Sequence, residues 1–271
     1  MGYLEAIVLA VLQGVTEFLP VSSSGHLILM QQWLGGVGHV DLFYDVLLHL
    51  ATAMAVLVYL RRDVWQLTLG ALRPTSAGTG PFAGQERRIV GFLLLATVPT
   101  GLVGLALDRW VFETLTRPDV VGLMLLVTAA ILWWGRRPAG QQPRDMRTAD
   151  ALQLGLLQGL AVTPGISRSG LTIAAGLRMG LHPRVAARFS FLVSIPAILG
   201  ATLLKALDAL QEPMPSVGPY LVGMAIAFLV GYASIGMILR MVQQQRFHWF
   251  SWYVGPLGAL VIVWHHLPGL N

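Results

Sequence analysis

The sequence contains no cysteine, which excludes disulfides and thiolate metal sites and leaves the redox compartment unspecified. Charge is scarce as well. Only 11% of the 271 residues are Asp, Glu, Lys or Arg, against 55% hydrophobic, a balance that soluble domains of this length do not show. Acids are the rarer sign, 13 against 18 basic residues, for a net charge of +5. A nucleic-acid partner would require those basic residues in one stripe; here they are scattered through short connections, so no nucleic acid is expected. The N-terminus has no basic leader, and its apolar run carries Glu5, Gln13 and Glu17 before Pro20. We therefore do not expect a cleaved secretory signal.

What the chain does have is long apolar stretches. Taking roughly 17 to 25 residues as the requirement for crossing a bilayer, six segments are candidate spans: 42–59, 89–107, 120–134, 189–204, 220–239 and 249–264, the third and last being short. Arg61, Arg62, Arg73, Arg87 and Arg88 lie between the first two, whereas the next connection mixes Arg109 and Arg117 with Asp108, Glu113 and Asp119. The first connection is thus expected in the cytoplasm. Counting onward puts Arg136, Arg137, Arg144 and Arg147 inside, Lys205, Asp208 and Glu212 outside, and Arg240 and Arg246 inside again.

Two apolar segments broken by Pro, Gly and Ser remain, 3–31 and 151–181, and each precedes three spans. They resemble one another: Leu12-Gln13-Gly14 recurs as Leu157-Gln158-Gly159, and Pro20 with Ser22, Ser24 and Gly25 recurs as Pro164 with Ser167, Ser169 and Gly170. The reading is one membrane domain, 1–271, made of a repeat over 1–147 and a second over 148–271. Three spans separate the broken segments, so they begin on opposite sides of the membrane and the repeats are inverted. Irregular backbone is tolerated at membrane depth only inside protein or beside water, and inverted-repeat proteins place their sites where such segments meet. The expected fold is an all-α integral membrane protein with six transmembrane helices and two re-entrant helical hairpins, whose tips meet near the midplane.

The first tip runs from Gln13 to His26. Gln13 and Glu17 are four apart and share a helix face, and an ionisable group in a membrane segment implies a function or a specific partner. The plainer alternative is that Glu17 pairs with an arginine and the serines cap a helix restarting near Gly25. The second tip reads Thr163-Pro164-Gly165-Ile166-Ser167-Arg168-Ser169-Gly170-Leu171-Thr172. An arginine among hydroxyls and exposed amides at a helix start suits a phosphate group, with Arg168, Ser167, Ser169, Thr172 and Gly165 as its binding set.

Gln13 through His26, together with Pro164 through Gly170, resembles the undecaprenyl-diphosphate phosphatase, or bacitracin-resistance protein, family; both motifs occur in order and the likeness extends over nearly the whole chain. The resemblance implies hydrolysis of undecaprenyl diphosphate to undecaprenyl phosphate in recycling of the cell-wall lipid carrier. It implies a bacterial inner-membrane location, a site open to the periplasm and, more weakly, a homodimer. The family's acidic motif falls on Gln13 and Glu17, its Ser and His on Ser23 and His26, and its phosphate-binding Arg on Arg168. With Gln13 in place of an acid, Glu17 is the one carboxylate left for a divalent cation, Mg²⁺ or Ca²⁺; since Mg²⁺ keeps waters and uses substrate phosphates, one can suffice.

On this reading Ser23 attacks the terminal phosphorus with His26 as base, giving a phosphoserine that water hydrolyses, while His26 as the nucleophile stays open. Asp45 and His49, another pair four apart, are either a supporting layer for the site or a structural polar pair. Trp133, Trp134, Trp249, Trp252 and Trp264 are expected at the membrane interfaces. Gly223, Gly231, Ala225, Ala227 and Ala233 offer small faces for internal packing or a dimer. The competing function is a lipid-phosphate transporter, since inverted repeats are also a transporter architecture; the presence of Ser23 and His26 beside the anion-binding set favours the enzyme. The Lys-rich and Ser-Arg-His-Asp patterns of the acid lipid phosphatases are absent.

Overall fold

The computed structural model describes residues 1–33, 42–72, 80–136, 140–209 and 217–267, with backbone alone at 33, 42, 108–113, 205 and 207–209. Arg73, Arg137 and Glu212, used above for orientation, lie outside the described residues, as do the side chains of Asp108, Arg109, Glu113, Lys205 and Asp208. Among the described residues every named element is helical.

The first broken segment forms α1 (Tyr3–Thr16) and α2 (Ser23–Trp33). Proline 20, which lacks an N–H, and Ser22, whose φ of 73° is left-handed, stop one helix and start the next. Then come α3 (Leu42–Tyr59), α4 (Arg61–Leu72), α5 (Glu86–Leu115) and α6 (Pro118–Trp134). The second broken segment forms α7 (Thr148–Leu160) and α8 (Arg168–Arg178), interrupted at Pro164 and Gly165. It is followed by α9 (Pro183–Ala209), α10 (Val217–Gln243), a 3-10 turn (Phe247–Phe250) and α11 (Ser251–His266).

All six predicted spans are helical, but length and composition single out fewer. Four segments qualify, Glu86–Leu107, Pro183–Leu204, Val217–Gln243 and Phe247–His266, and a fifth if α3 and α4 count together across a 72° bend. The bend falls at the buried Leu60, where apolar α3 gives way to Arg61, Arg62 and Asp63, the last of them buried and paired with Arg188. At 17 residues α6 is shorter than that limit, as the sequence hinted.

Lipid gives little hydrophobic drive between helices, so contact relies on small residues that let backbones approach. A Cβ on Gly155 of α7 would lie 2.3 Å from the Ala96 carbonyl oxygen of α5, and one on Gly14 of α1 would lie 2.9 Å from that of Ala227 of α10. Gly122 of α6 and Gly258 of α11 face one another in the same way. Gly223, Ala227 and Gly231 are thus used inside the protein, while Ala225 and Ala233 are exposed. Leucines such as Leu94, Leu102, Leu203, Leu221 and Leu229 are exposed and form a lipid-facing surface. Arg136 stacks on Trp133, Arg178 on Trp134 and Arg246 on Trp249, so the arginine-rich end has the aromatic belt expected at an interface.

Gly155→Leu should lower the melting temperature in detergent and the yield of folded protein, because the added atoms meet backbone; overpacking of this kind costs roughly 1–3 kcal/mol. Gly91→Ala, where a Cβ meets nothing within 4 Å, should leave both unchanged or slightly improved.

Candidate active site

The two breaks face one another. In the first, the left-handed Ser22 makes contacts through two of its groups. Its Oγ accepts the Gly25 amide at 3.3 Å and, across the interface, the Gly165 amide at 3.1 Å. Its carbonyl accepts the His26 amide at 3.2 Å and contacts His26 Nδ1 at 2.7 Å. In the second, Gly165 has a φ of 92°, and a Cβ there would lie 2.6 Å from the Val121 carbonyl oxygen, so glycine is required. Thr128 of α6 pins that turn, donating to the Gly165 carbonyl at 2.7 Å and accepting from the Ser167 amide at 3.0 Å. Ser167 caps α8 by accepting the Gly170 amide at 3.0 Å.

Glu17 sits at the junction. Its Oε2 accepts Ser23 Oγ at 2.7 Å and Gln13 Nε2 at 3.1 Å, and its Oε1 pairs with Arg168 Nη2. The glutamate is 7% exposed, the Arg168 side chain 17%, and Ser23 is half-buried. The N-termini of α2 and α8 converge here. Among the described residues the amides of Ser23, Ser24, Arg168 and Ser169 donate to no protein group, so two helix starts direct unpaired N–H groups and positive dipole ends toward one locus.

The structure therefore brings together Gln13, Glu17, Ser23 and Arg168. Of the other residues expected to bind phosphate, Ser169 and Gly165 bond across the tips, Ser169 donating to the Leu19 carbonyl at 3.4 Å and the Gly165 amide donating to Ser22 Oγ, while Thr172 donates to the Arg168 carbonyl at 2.8 Å within α8 and also bonds Ser190 of α9. His26 is beside the site without bonding Ser23; its Nε2 meets the hydroxyl of Tyr253 on α11 at 2.9 Å, and the rings stack at 5.8 Å. Asp45 pairs with His49 four residues on in α3. Tyr253, Thr128 and Ser190 carry no signal in the sequence; each is one isolated polar residue among apolar neighbours, and only the fold reveals what it faces.

For a divalent cation, the donors present are oxygens, as Mg²⁺ and Ca²⁺ prefer. They are the Glu17 carboxylate, Ser23 Oγ and Gln13 Oε1, a fully buried acceptor with no hydrogen-bond partner. No cluster of three or more His, Asp or Glu occurs among the described residues. The set fits a cation that takes its other ligands from phosphate and water.

A family model described as bacitracin resistance protein BacA matches residues 6–260. Among curated proteins, an undecaprenyl-diphosphatase of Desulfosudis oleivorans is 42% identical over 97% of this chain and 98% of its own length. One of Syntrophotalea carbinolica is 40% identical over 96% and 98%, and one of Methanosphaera stadtmanae is 38% identical over 97% and 98%.

Tyr253→Phe removes the partner of His26 Nε2. Assayed on the substrate in those relatives' names, it should lower kcat by about fivefold to tenfold, the equivalent of one hydrogen bond of about 1 kcal/mol, with KM within twofold. An unchanged kcat would deny Tyr253 a positioning role.

Proposed function

The chain belongs to the bacitracin resistance protein BacA family, and from that membership we propose that it is an undecaprenyl-diphosphatase, a membrane hydrolase that converts undecaprenyl diphosphate to undecaprenyl phosphate and inorganic phosphate. The observation that carries the catalytic assignment is the meeting of Ser23, Glu17 and Arg168 at the junction of the two breaks.

Ser23 is the nucleophile. Its hydroxyl already donates to Glu17, which takes the proton as Oγ bonds to the terminal phosphorus and the undecaprenyl phosphate oxygen departs; water then cleaves the phosphoserine to free phosphate. His26, buried with both ring nitrogens engaged, is less available for attack and orders the start of α2 behind Ser23. Arg168 and the free amides of the two helix starts hold the phosphate oxygens, which is most of what phosphoryl transfer needs. A divalent cation, Mg²⁺ or Ca²⁺, held by Glu17 and Gln13 would neutralise charge on the diphosphate. The prenyl chain lies between helices in lipid while only its head reaches the tips.

The wider arrangement follows the same reading: six spans with α3 and α6 included, two re-entrant hairpins, and inverted repeats over 1–147 and 148–271. The helix pairings support it. Gly14 of α1 packs on α10 and its counterpart Gly159 of α7 packs on α5, the pairing that an exchange of halves produces. Ser22 and Ser167 cap α2 and α8 through the same bond, to Gly25 and Gly170. The site faces the periplasm of a bacterial inner membrane, and the protein acts as a homodimer. A transporter reading is not favoured, because a serine hydroxyl set on a carboxylate serves chemistry that carriage alone does not need.

The test is phosphate release from undecaprenyl diphosphate by purified protein with Mg²⁺, with Ca²⁺ and with chelator. Ser23→Ala should lose at least about a thousandfold in turnover, as nucleophile removal does, and chelation should lower the rate of the native chain. Acid-quenched turnover should leave phosphate on the Ser23 peptide. Label retained by Ser23→Ala would reject the serine scheme.

A further inference from the structure

A second concentration of polar side chains lies where the arginine-rich connections gather. Arg62 and Asp63 of α4, Arg144 of the α6–α7 connection, Arg184 and Arg188 of α9, and Gln243 at the end of α10 line a cavity of about 830 Å³. The 11 residues of α8 lead from Arg168 at the tips toward this end, a rise of roughly 15 Å at about 1.5 Å per residue, so the cavity is separate from the catalytic junction.

Two of its four guanidinium groups are fixed by buried carboxylates. Arg188 pairs with Asp63, and Arg144 gives both terminal nitrogens to Asp150 at 2.7 Å each; the Asp63 and Asp150 side chains are each 6% exposed. Burial by itself would raise the Asp150 carboxyl, but hydrogen bonds from Arg144 and the Arg147 amide, with the charges of both arginines, hold it below the usual range. Arg184 is oriented by its Nε bond to Gln243 Oε1 at 3.0 Å. Among the described residues neither Arg184 nor Arg62 pairs with a carboxylate. With Arg144 balanced by Asp150 and Arg188 by Asp63, the lining leaves Arg62 and Arg184 against one acid, Asp145, so the cavity keeps an excess of one positive charge.

Helix α4 indicates the depth at which the cavity opens. It leaves α3 at 72° and exposes Trp65, Leu69 and Leu72 in one stripe at i, i+4 and i+7. On the adjoining face, Arg62 and Gln66 line the cavity one turn apart. An exposed Trp and Leu stripe bordered by arginine is the pattern of a helix lying in the membrane interface. The cavity mouth is then level with lipid headgroups.

We propose that this cavity binds a phosphate-bearing anion at the arginine-rich surface of the membrane. Arg62 and Arg184 contact the phosphate oxygens, and the carboxylate-paired Arg144 and Arg188 form a fixed, charge-balanced wall of N–H donors behind them; guanidinium forks match phosphate geometry and remain charged at all relevant pH. The phosphate comes either from an anionic lipid headgroup or from a soluble anion, and the geometry of α4 points to the lipid.

The test compares native protein with Arg62→Gln/Arg184→Gln, both exposed positions outside the catalytic machinery, after release from nanodiscs of equal phosphatidylglycerol and phosphatidylcholine, counting retained lipid by native mass spectrometry. The variant should retain phosphatidylglycerol about tenfold less, the loss expected for charged hydrogen bonds, with phosphatidylcholine unchanged and phosphatase turnover within twofold. Arg184→Lys, which keeps charge but not the fork, should be intermediate and covers the case of a poorly folded double variant. Equal lipid retention, with pyrophosphate binding in equilibrium dialysis lost in the variant, would assign the site to a soluble anion. Equal retention and equal pyrophosphate binding would overturn the proposal.

Discussion

Glu17 and Arg168, 151 positions apart in the chain, share an ion pair inside the apolar body of the protein. Neither charge is tolerable there alone. Desolvating a carboxylate or guanidinium costs several kcal/mol, and removing one partner of a buried pair typically costs about 3–5 kcal/mol. Each group therefore requires the other, and each reaches it only because the chain breaks at Pro20 and at Pro164-Gly165. The left-handed Ser22, the required glycine at 165, the Thr128 bonds and the Ser167 cap fix the two ends of that contact. The pair also leaves the site charged and poised, with Ser23 on one carboxylate oxygen and the guanidinium on the other.

The two breaks share a scheme and differ at the positions that carry chemistry. In the motif alignment Ser22 matches Ser167 and Gly25 matches Gly170, and these make the same cap in both halves. Ser23 matches Arg168, and both reach Glu17, for which the second half has no carboxylate. Gln13 and Gln158 match as well; each is buried with an oxygen that bonds nothing, but Gln13 turns its amide to Glu17 while Gln158 bonds Thr100 and Val193. The matched positions thus present a hydroxyl from one break and a guanidinium from the other to the same carboxylate.

Much of this was legible in the sequence because membrane depth makes polar residues conspicuous. Glu17, Ser23 and Arg168 stood out as groups that apolar segments do not carry without reason, and the Pro-Gly-Ser breaks located the turns. The division of labour among hydroxyls was not legible. Ser167, Ser169 and Thr172 look alike as phosphate ligands in a string, and only the packing shows them bonded to Gly170, Leu19 and Ser190. Tyr253 escaped for the same reason, being one tyrosine in an apolar helix whose partner is 227 positions away. The span count was blurred where physical signals overlap, since α3 runs into α4 through adjacent charges and α6 is short.

Assembly of the junction depends on the Glu17–Arg168 contact, and a double-mutant cycle measures it most directly. Glu17→Gln, Arg168→Gln and the double variant would be compared for stability to denaturant in detergent. Each single change should destabilise by roughly 3–5 kcal/mol and the pair by clearly less than the sum, because the second change removes the charge that the first left stranded. Strictly additive losses would mean that the two residues do not meet, and that the catalytic junction is not assembled as described.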